Sequence, residues 1–369
     1  RLARNAVSVD MAAMKDVSGV GGGAIGLFCA VRMRKGVARV WLLESGHEHP
    51  TYYTPIASAA AAGMLAPIGN GPSAHEKVAL ESFELWQAMR DGAEWADAVR
   101  FDGAVVVRAD ASEAAAFAAS AAHLGAKAQS LSAGEFRKRT GFRSKVEHAL
   151  FVEAEGTADP LRMLTGLAMQ AHALGVLRFY DTDVWSVTAT SASTHDGKVF
   201  EADAVVLAPG AWANDGMLKA APALKQVRAG KGIVGAVEFE MPLRPNLRTG
   251  DFYLAQRRED AVIGSTLEFD KFDRKVDRAK LAALHAAAER LLPGEVTLTE
   301  RAWAGIRPMS PDGWPMIGPN GDGVLLAAGH SREGWLMAPI TAEIITAYVF
   351  GNEIPPEWAA LSPERFEQP

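Results

Sequence analysis

Along the chain, short solid apolar runs alternate with stretches of helical spacing, and this alternation predicts the elements. Val17 to Val20 reads as a short strand, weakened by Ser18 and Gly19. A glycine-rich turn follows, then a helix from about Ala24 to Lys35. Val40 to Leu43 is apolar throughout, as buried parallel strands tend to be. The three elements form a βαβ unit. From Ala74 to Arg90 the spacing is helical, with Val78, Phe83, Trp86 and Met89 near one face. The Ala-rich run Ala114 to Ala122 is a helix by propensity.

Asp159-Pro160 signals another helix start, with Asp as N-cap and Pro in the first turn. That helix carries Leu161, Leu164, Leu167 and Ala171 and stops at Gly175. Val205 to Ala208 is a buried strand ending in Pro209-Gly210. Lys231 to Phe239, Phe252 to Gln256 and Ala261 to Gly264 read as strands. Lys280 to Leu292 is an amphipathic helix ended by Pro293-Gly294. Val324 to Ala328 is a last buried strand, running through Gly329-His330 toward a helix from about Leu336 to Phe350. There is no internal repeat.

Composition narrows the class. A chain of 369 residues suits two domains, or one large domain carrying an inserted second, and 49% apolar content supports a large core. A net charge of −6 argues against nucleic acid as a partner. No apolar run is long enough to span a bilayer. Residues 1–14 lack the apolar core of a signal peptide and are expected to form a disordered leader. The single cysteine, Cys29, excludes an intrachain disulfide and favours a cytoplasmic location. The nine histidines show no compact ligand spacing, so no metal site is expected. No G-x-S-x-G nucleophile signal appears.

The run Gly21-Gly22-Gly23-Ala24-Ile25-Gly26 fits G-x-G-x-x-G, placed between a strand and a helix. Gly21 permits the tight turn, Gly23 lets a pyrophosphate approach the backbone, and Gly26 lets helix and strand pack closely. The helix N-terminus offers N–H groups and a positive dipole end to the phosphates. Glu44 closes the second strand, where its carboxylate can accept from both ribose hydroxyls and would repel the extra phosphate of NADP. These features fit NAD and FAD alike.

Four further segments separate the two. They are Ser58-Ala59-Ala60-Ala61-Ala62-Gly63-Met64-Leu65-Ala66-Pro67, then Ala204 to Trp212, then Trp303-Ala304-Gly305-Ile306-Arg307-Pro308 with Pro311-Asp312-Gly313 and Pro315 to Gly318, and finally Ala328 to Trp335 with Ala338-Pro339. Together they resemble the D-amino acid oxidase-like FAD-dependent oxidoreductase superfamily, closest to its glycine oxidase and sarcosine oxidase branch. The resemblance covers nearly the whole chain from Lys15.

That resemblance implies an α/β fold. A Rossmann-like FAD-binding domain would take residues 15–86, 151–215 and 303–369. A discontinuous α+β substrate domain with a mostly antiparallel sheet would take 87–150 and 216–302. It implies FAD contacts from the glycine turn, from Glu44 and Ser45, and from Ser58, Ala62, Gly63 and Met64. Further contacts fall to Val184, Ala208, Gly210, Trp212 and Gly305, and to His330, Arg332, Glu333, Gly334, Trp335 and Leu336. Cys29 does not match the flavin-tethering cysteine of monomeric sarcosine oxidases, so the FAD is expected to be noncovalent.

Substrate roles follow from the same resemblance. Arg307 matches the carboxylate-binding arginine, and a guanidinium suits that task as a planar two-point fork. Tyr253 matches a ligand-facing tyrosine, Leu267 an apolar wall on the strand after it, and Arg332 a second cation near the ring. Trp335 narrows the pocket or packs. Arg307, Tyr253 and Arg332 are therefore the candidate catalytic residues. The implied activity is oxidation of a small amino acid or secondary amine such as an N-substituted glycine. Hydride passes to flavin, the imine hydrolyses, and dioxygen is released as hydrogen peroxide. Electron delivery to a quinone or protein acceptor, and a non-catalytic FAD-binding subunit, are the alternatives. A homo-oligomer is compatible with the sequence.

Overall fold

The computed structural model describes residues 15–366 apart from 37, 70–73, 145 and 259; the expected leader at 1–14 lies outside the described residues. The chain divides into two compact units. The first takes the chain up to Pro50, Leu164–Arg228 and the chain from Arg307; the second takes Thr51–Met163 and Ala229–Ile306.

The first unit is built on a six-stranded sheet in the order Met316–Asn320, Val324–Ala328, Ala204–Leu207, Asp16–Val20, Arg39–Leu43, Leu177–Phe179. All pairs are parallel except the first. Strand order reverses at Asp16–Val20, which has its sequence neighbour on one side and Ala204–Leu207 on the other. In open α/β sheets such a switch point is where ligands bind, outside the carboxyl ends of the strands. Helices Ala24–Lys35 and Gly334–Phe350 are joined by an Arg32–Glu343 ion pair of 2.6 Å. The second of them is apolar on nearly every face and buried accordingly. A small antiparallel sheet of Val184–Val187, Ser191–Thr194 and Val199–Glu201 completes this unit.

The second unit carries a nine-stranded, mostly antiparallel sheet. Its side chains alternate as the pleat requires. Ile233, Val237, Leu254 and Ile263 pack on helix Arg278–Leu291 through Leu281, Leu284 and Ala288. Val234, Ala236, Ala255 and Val262 face the other way, together with Ala60, Ala62, Trp303 and Tyr253. Helix Ala111–His123 covers another part of the sheet through Phe117 and Ala121, which pack on Ala104, Val106, Leu150 and Val152.

Two groupings differ from the expected domain limits. The stretches 51–86 and 151–163 group with the second unit because Met64–Leu65 pairs with Gly156–Ala158, which also pairs with Val99–Arg100. Residues 216–228 group with the first unit, where Met217, Ala221, Ala223 and Leu224 join the core beneath Val205 and Leu207.

The strand read over Ala261 to Gly264 has those bounds, and Leu267, expected on a pocket strand, lies beyond its end. Val234 pairs with Gly264 and Lys231 with Glu268, so three residues oppose two, which is a bulge. The Thr266 hydroxyl accepts the Ile233 N–H at 3.1 Å in place of a backbone partner.

Candidate functional site

The glycine turn lies at the switch point of the first unit. Gly21 has φ 105°, and a Cβ there would stand 2.2 Å from the Ala208 carbonyl oxygen. A Cβ on Gly26 would stand 1.8 Å from the Gly21 oxygen. Both positions therefore demand glycine, and the turn presents bare backbone. Helix Ala24–Lys35 begins there with Gly23 as N-cap, no side-chain cap hydrogen bond and no acid in its first turn.

Glu44 is 9% exposed and follows the second strand directly. Its Oε2 accepts the Gly22 N–H and its Oε1 the Gly46 N–H at 2.7 Å. Ser45 is exposed, with its hydroxyl 3.5 Å from the same carboxylate. The carboxylate is thus fixed against the turn, with lone pairs remaining for ribose hydroxyls. Ala208 and Gly210 follow the neighbouring strand, and Gly210 is left-handed at φ 61°. Trp212 is 43% exposed, while Val184 is buried in the core and its carbonyl accepts from Asn214 Nδ2 at 2.8 Å. The uncapped helix, the bare turn and the fixed acid fit the diphosphate and ribose of FAD.

The turn from Gly329 to Glu333 leads into helix Gly334–Phe350, which also opens without a side-chain cap. His330 is buried, and its Nε2 lies 3.0 Å from Thr341 Oγ1. Thr341 donates its own hydroxyl proton to the Met337 carbonyl at 2.8 Å, so His330 Nε2 is the donor of that pair. Burial pushes the imidazole down to about 3, so the ring is neutral at ordinary pH. Trp335 and Leu336 are buried, and Glu333 and Gly334 are partly so. Arg332 is exposed and has no hydrogen bond or ion pair among the described residues. Arg307 is half-buried on strand Thr297–Met309. The Pro308 carbonyl beside it accepts the Ser331 N–H at 2.8 Å, which joins the two arginine-bearing segments.

The remaining expected residues lie in the second unit. Tyr253 is half-buried on strand Tyr253–Gln256, its ring laid over Gly264 of the neighbouring strand, where a Cβ would meet the phenol oxygen at 2.2 Å. Leu267 is half-buried in the bulge. Ser58 lies on the short helix Ala57–Ala60, Ala62 and Gly63 are buried, and Met64 begins the next strand. Trp303 Nε1 donates to the Ala60 carbonyl at 2.9 Å, and Gly305 admits Ala60 so closely that a Cβ there would meet it at 2.6 Å. The Tyr52 ring stacks on Trp303 at 4.5 Å. Sequence reading gave no role to Gly22 or Thr341, which bond Glu44 and His330. Gly22 sits inside the motif, but its role depends on where Glu44 folds back; Thr341 carried no local signal.

These features are those of a dinucleotide-binding α/β fold. The chain belongs to the FAD dependent oxidoreductase (DAO) family, which it matches over residues 17–348. It is 35% identical to the glycine oxidase of Pseudomonas putida over 180 residues, 47% of this chain and 49% of that protein. It is 31% identical to the hydrogen cyanide synthase subunit HcnC of Pseudomonas aeruginosa over 258 residues, 66% of this chain and 61% of that one. The chain thus spans about half to three-fifths of the length of these relatives. The structure is similar to that of glycine oxidase from Geobacillus kaustophilus, with a TM-score of 0.83 and 27% identity, covering 95% of this chain and 99% of that one. No helix among the described residues is long and apolar enough to cross a membrane.

Proposed function

We propose that this chain oxidises a small amino acid or N-substituted glycine at the carbon beside the amine. The observation that carries the reading is Arg307, half-buried and tied through Pro308 to the turn that bears the exposed Arg332. The likeness to glycine oxidases in sequence and in structure supports it.

Arg307 offers a carboxylate two parallel N–H donors, which fixes orientation as well as charge. Bound FAD supplies the acceptor of the hydride. The uncapped N-terminus of helix Gly334–Phe350 and the Arg332 guanidinium set a positive potential that favours negative charge developing nearby. Glu44 and the glycine turn hold ribose and diphosphate noncovalently. The imine product hydrolyses in water, and dioxygen as terminal acceptor leaves as hydrogen peroxide.

The test is a screen of the holoenzyme against glycine, sarcosine, iminodiacetate, D-amino acids and L-proline, following peroxide in air and flavin bleaching without air. Bleaching with peroxide is expected for at least one of them. Bleaching without peroxide would move the acceptor to a quinone or protein. A flavin that no amino acid bleaches would sink the proposal.

A further inference from the structure

Ser331 stands in the left-handed region at φ 51°. A residue with a Cβ adopts that region at a cost, which its contacts must outweigh. Those contacts are directed at one place. The Ser331 N–H donates to the Pro308 carbonyl at 2.8 Å. The Ser331 hydroxyl accepts the Ser310 N–H at 3.1 Å and donates to the Gly329 carbonyl at 3.2 Å. Met309 and His330 form a bridge between the same two segments.

The chain of contacts continues outward. The Ser310 hydroxyl lies 3.2 Å from that of Ser331 and 3.3 Å from Asp312 Oδ1. Asp312 is held by Arg365 at two points, 2.9 and 3.2 Å. Both serines are buried, at 6% and 7% exposure. The bonds from Ser331 to Pro308 and Ser310, with the Met309–His330 bridge, join the strand end just after Arg307 to the turn just before Arg332, and the bond to Gly329 braces the turn itself.

Glycine would suit the backbone of this position better and would keep the N–H bond to Pro308. What serine adds is the hydroxyl, with its bonds to Ser310 and Gly329. We infer that Ser331 is a positioning residue, whose hydroxyl sets the register between the Arg307 strand and the Arg332 turn and so holds both guanidinium groups in place for a substrate carboxylate. The inference rests on the carboxylate reading of Arg307 proposed above.

The variants are Ser331→Gly, which relaxes the backbone and deletes the hydroxyl, and Ser331→Asn, which tolerates the left-handed conformation and restores an acceptor for the Ser310 N–H. The probe is acetate, titrated into the holoenzyme and read by the visible flavin spectrum. Ser331→Gly should bind acetate about tenfold more weakly, the loss of roughly one hydrogen bond, with a melting temperature within about 2 °C of wild type. Ser331→Asn should recover most of that affinity. Hydrogen exchange at Ser310 should quicken about tenfold in Ser331→Gly and return toward wild type in Ser331→Asn.

Wild-type acetate affinity in Ser331→Gly overturns the inference. So does a loss that Ser331→Asn fails to recover. Should the wild-type holoenzyme neither bind acetate nor be bleached by any amino acid, the proposed function has failed, and exchange at Ser310 then decides the clamp alone. Faster exchange in Ser331→Gly keeps the clamp; unchanged exchange removes it.

Discussion

Glu44 accepts the backbone N–H of Gly22, so the acid after the second strand is bonded to the turn that leads out of the first. The carboxylate is therefore held by the glycine turn, and the acid and the turn are one hydrogen-bonded piece.

Glu44→Ala removes that bond, the bond from Gly46 and the acceptor for ribose. FAD should bind more weakly by about 1–3 kcal/mol, roughly fivefold to more than a hundredfold. Turnover of the fully loaded enzyme should change little. Titration of apoprotein with FAD measures the first quantity, and an unchanged dissociation constant would take Glu44 out of the site.

Cys29, the chain's sole cysteine, is buried, and burial pushes its thiol up to about 12, so it is inert as a nucleophile. Acid or heat precipitation should therefore release free yellow FAD into the supernatant. Flavin remaining with the pellet after denaturation would show a covalent link through some other residue.

Arg307→Leu should lower kcat/KM for the amino acid substrate by about 3–5 kcal/mol, a hundredfold to a few thousandfold, because the carboxylate loses its counter-charge. The decarboxylated amine has nothing to pair and should be affected far less. Kinetics of both compounds on both proteins decide the matter. Equal losses with FAD retained would make Arg307 structural.

His330 gives a pH dependence whose sign is fixed by burial. Its imidazole is held down to about 3 in the folded protein, against 6.5 ordinarily. Below pH 6.5 the unfolded chain takes up a proton that the folded chain refuses. The stability is present above that pH and is lost as pH falls toward 3, at up to about 1.4 kcal/mol per unit. Melting temperature should therefore drop more steeply between pH 6 and 4 in wild type than in His330→Gln, roughly in that proportion. Parallel profiles would mean that the buried ring is not the group responsible.

The centre of the first unit was legible in the sequence because its signals are local, whereas the edge strands Leu177–Phe179 and Met316–Asn320 and the small antiparallel sheet, short and mixed in polarity, were not read. Gly21 and Gly26 are glycines for steric reasons that recur wherever a strand turns into a helix over a phosphate. Helix Ala74–Arg90 and strand Tyr253–Gln256 are likewise written in their own periodicity. The bulge at Ser265–Leu267 was not legible, since it depends on Thr266 substituting for a backbone partner across the sheet. Helix Ala133–Thr140 was overlooked even though Ser132 and Glu135 form a capping box; its eight residues carry too short an apolar stripe to register. Nor does sequence reveal that segment 51–86 groups with the second unit, because the pairing of Met64–Leu65 with Gly156–Ala158 joins residues remote along the chain.

The central strand Asp16–Val20 pairs with Ala204–Leu207, which pairs in turn with Val324–Ala328. During synthesis the Ala208 carbonyl that walls the glycine turn leaves the ribosome 187 residues after Gly21 (208 − 21), and the strand Val324–Ala328 begins 303 residues after it (324 − 21). Until then the nascent chain exposes unpaired strand edges to other chains. Closure of the nucleotide cradle is consequently a late event, governed by contacts of high sequence separation and slow for that reason. The availability of FAD in the cell would then act on how much finished chain survives as native protein, and cofactor starvation should show first as aggregation of the full-length product.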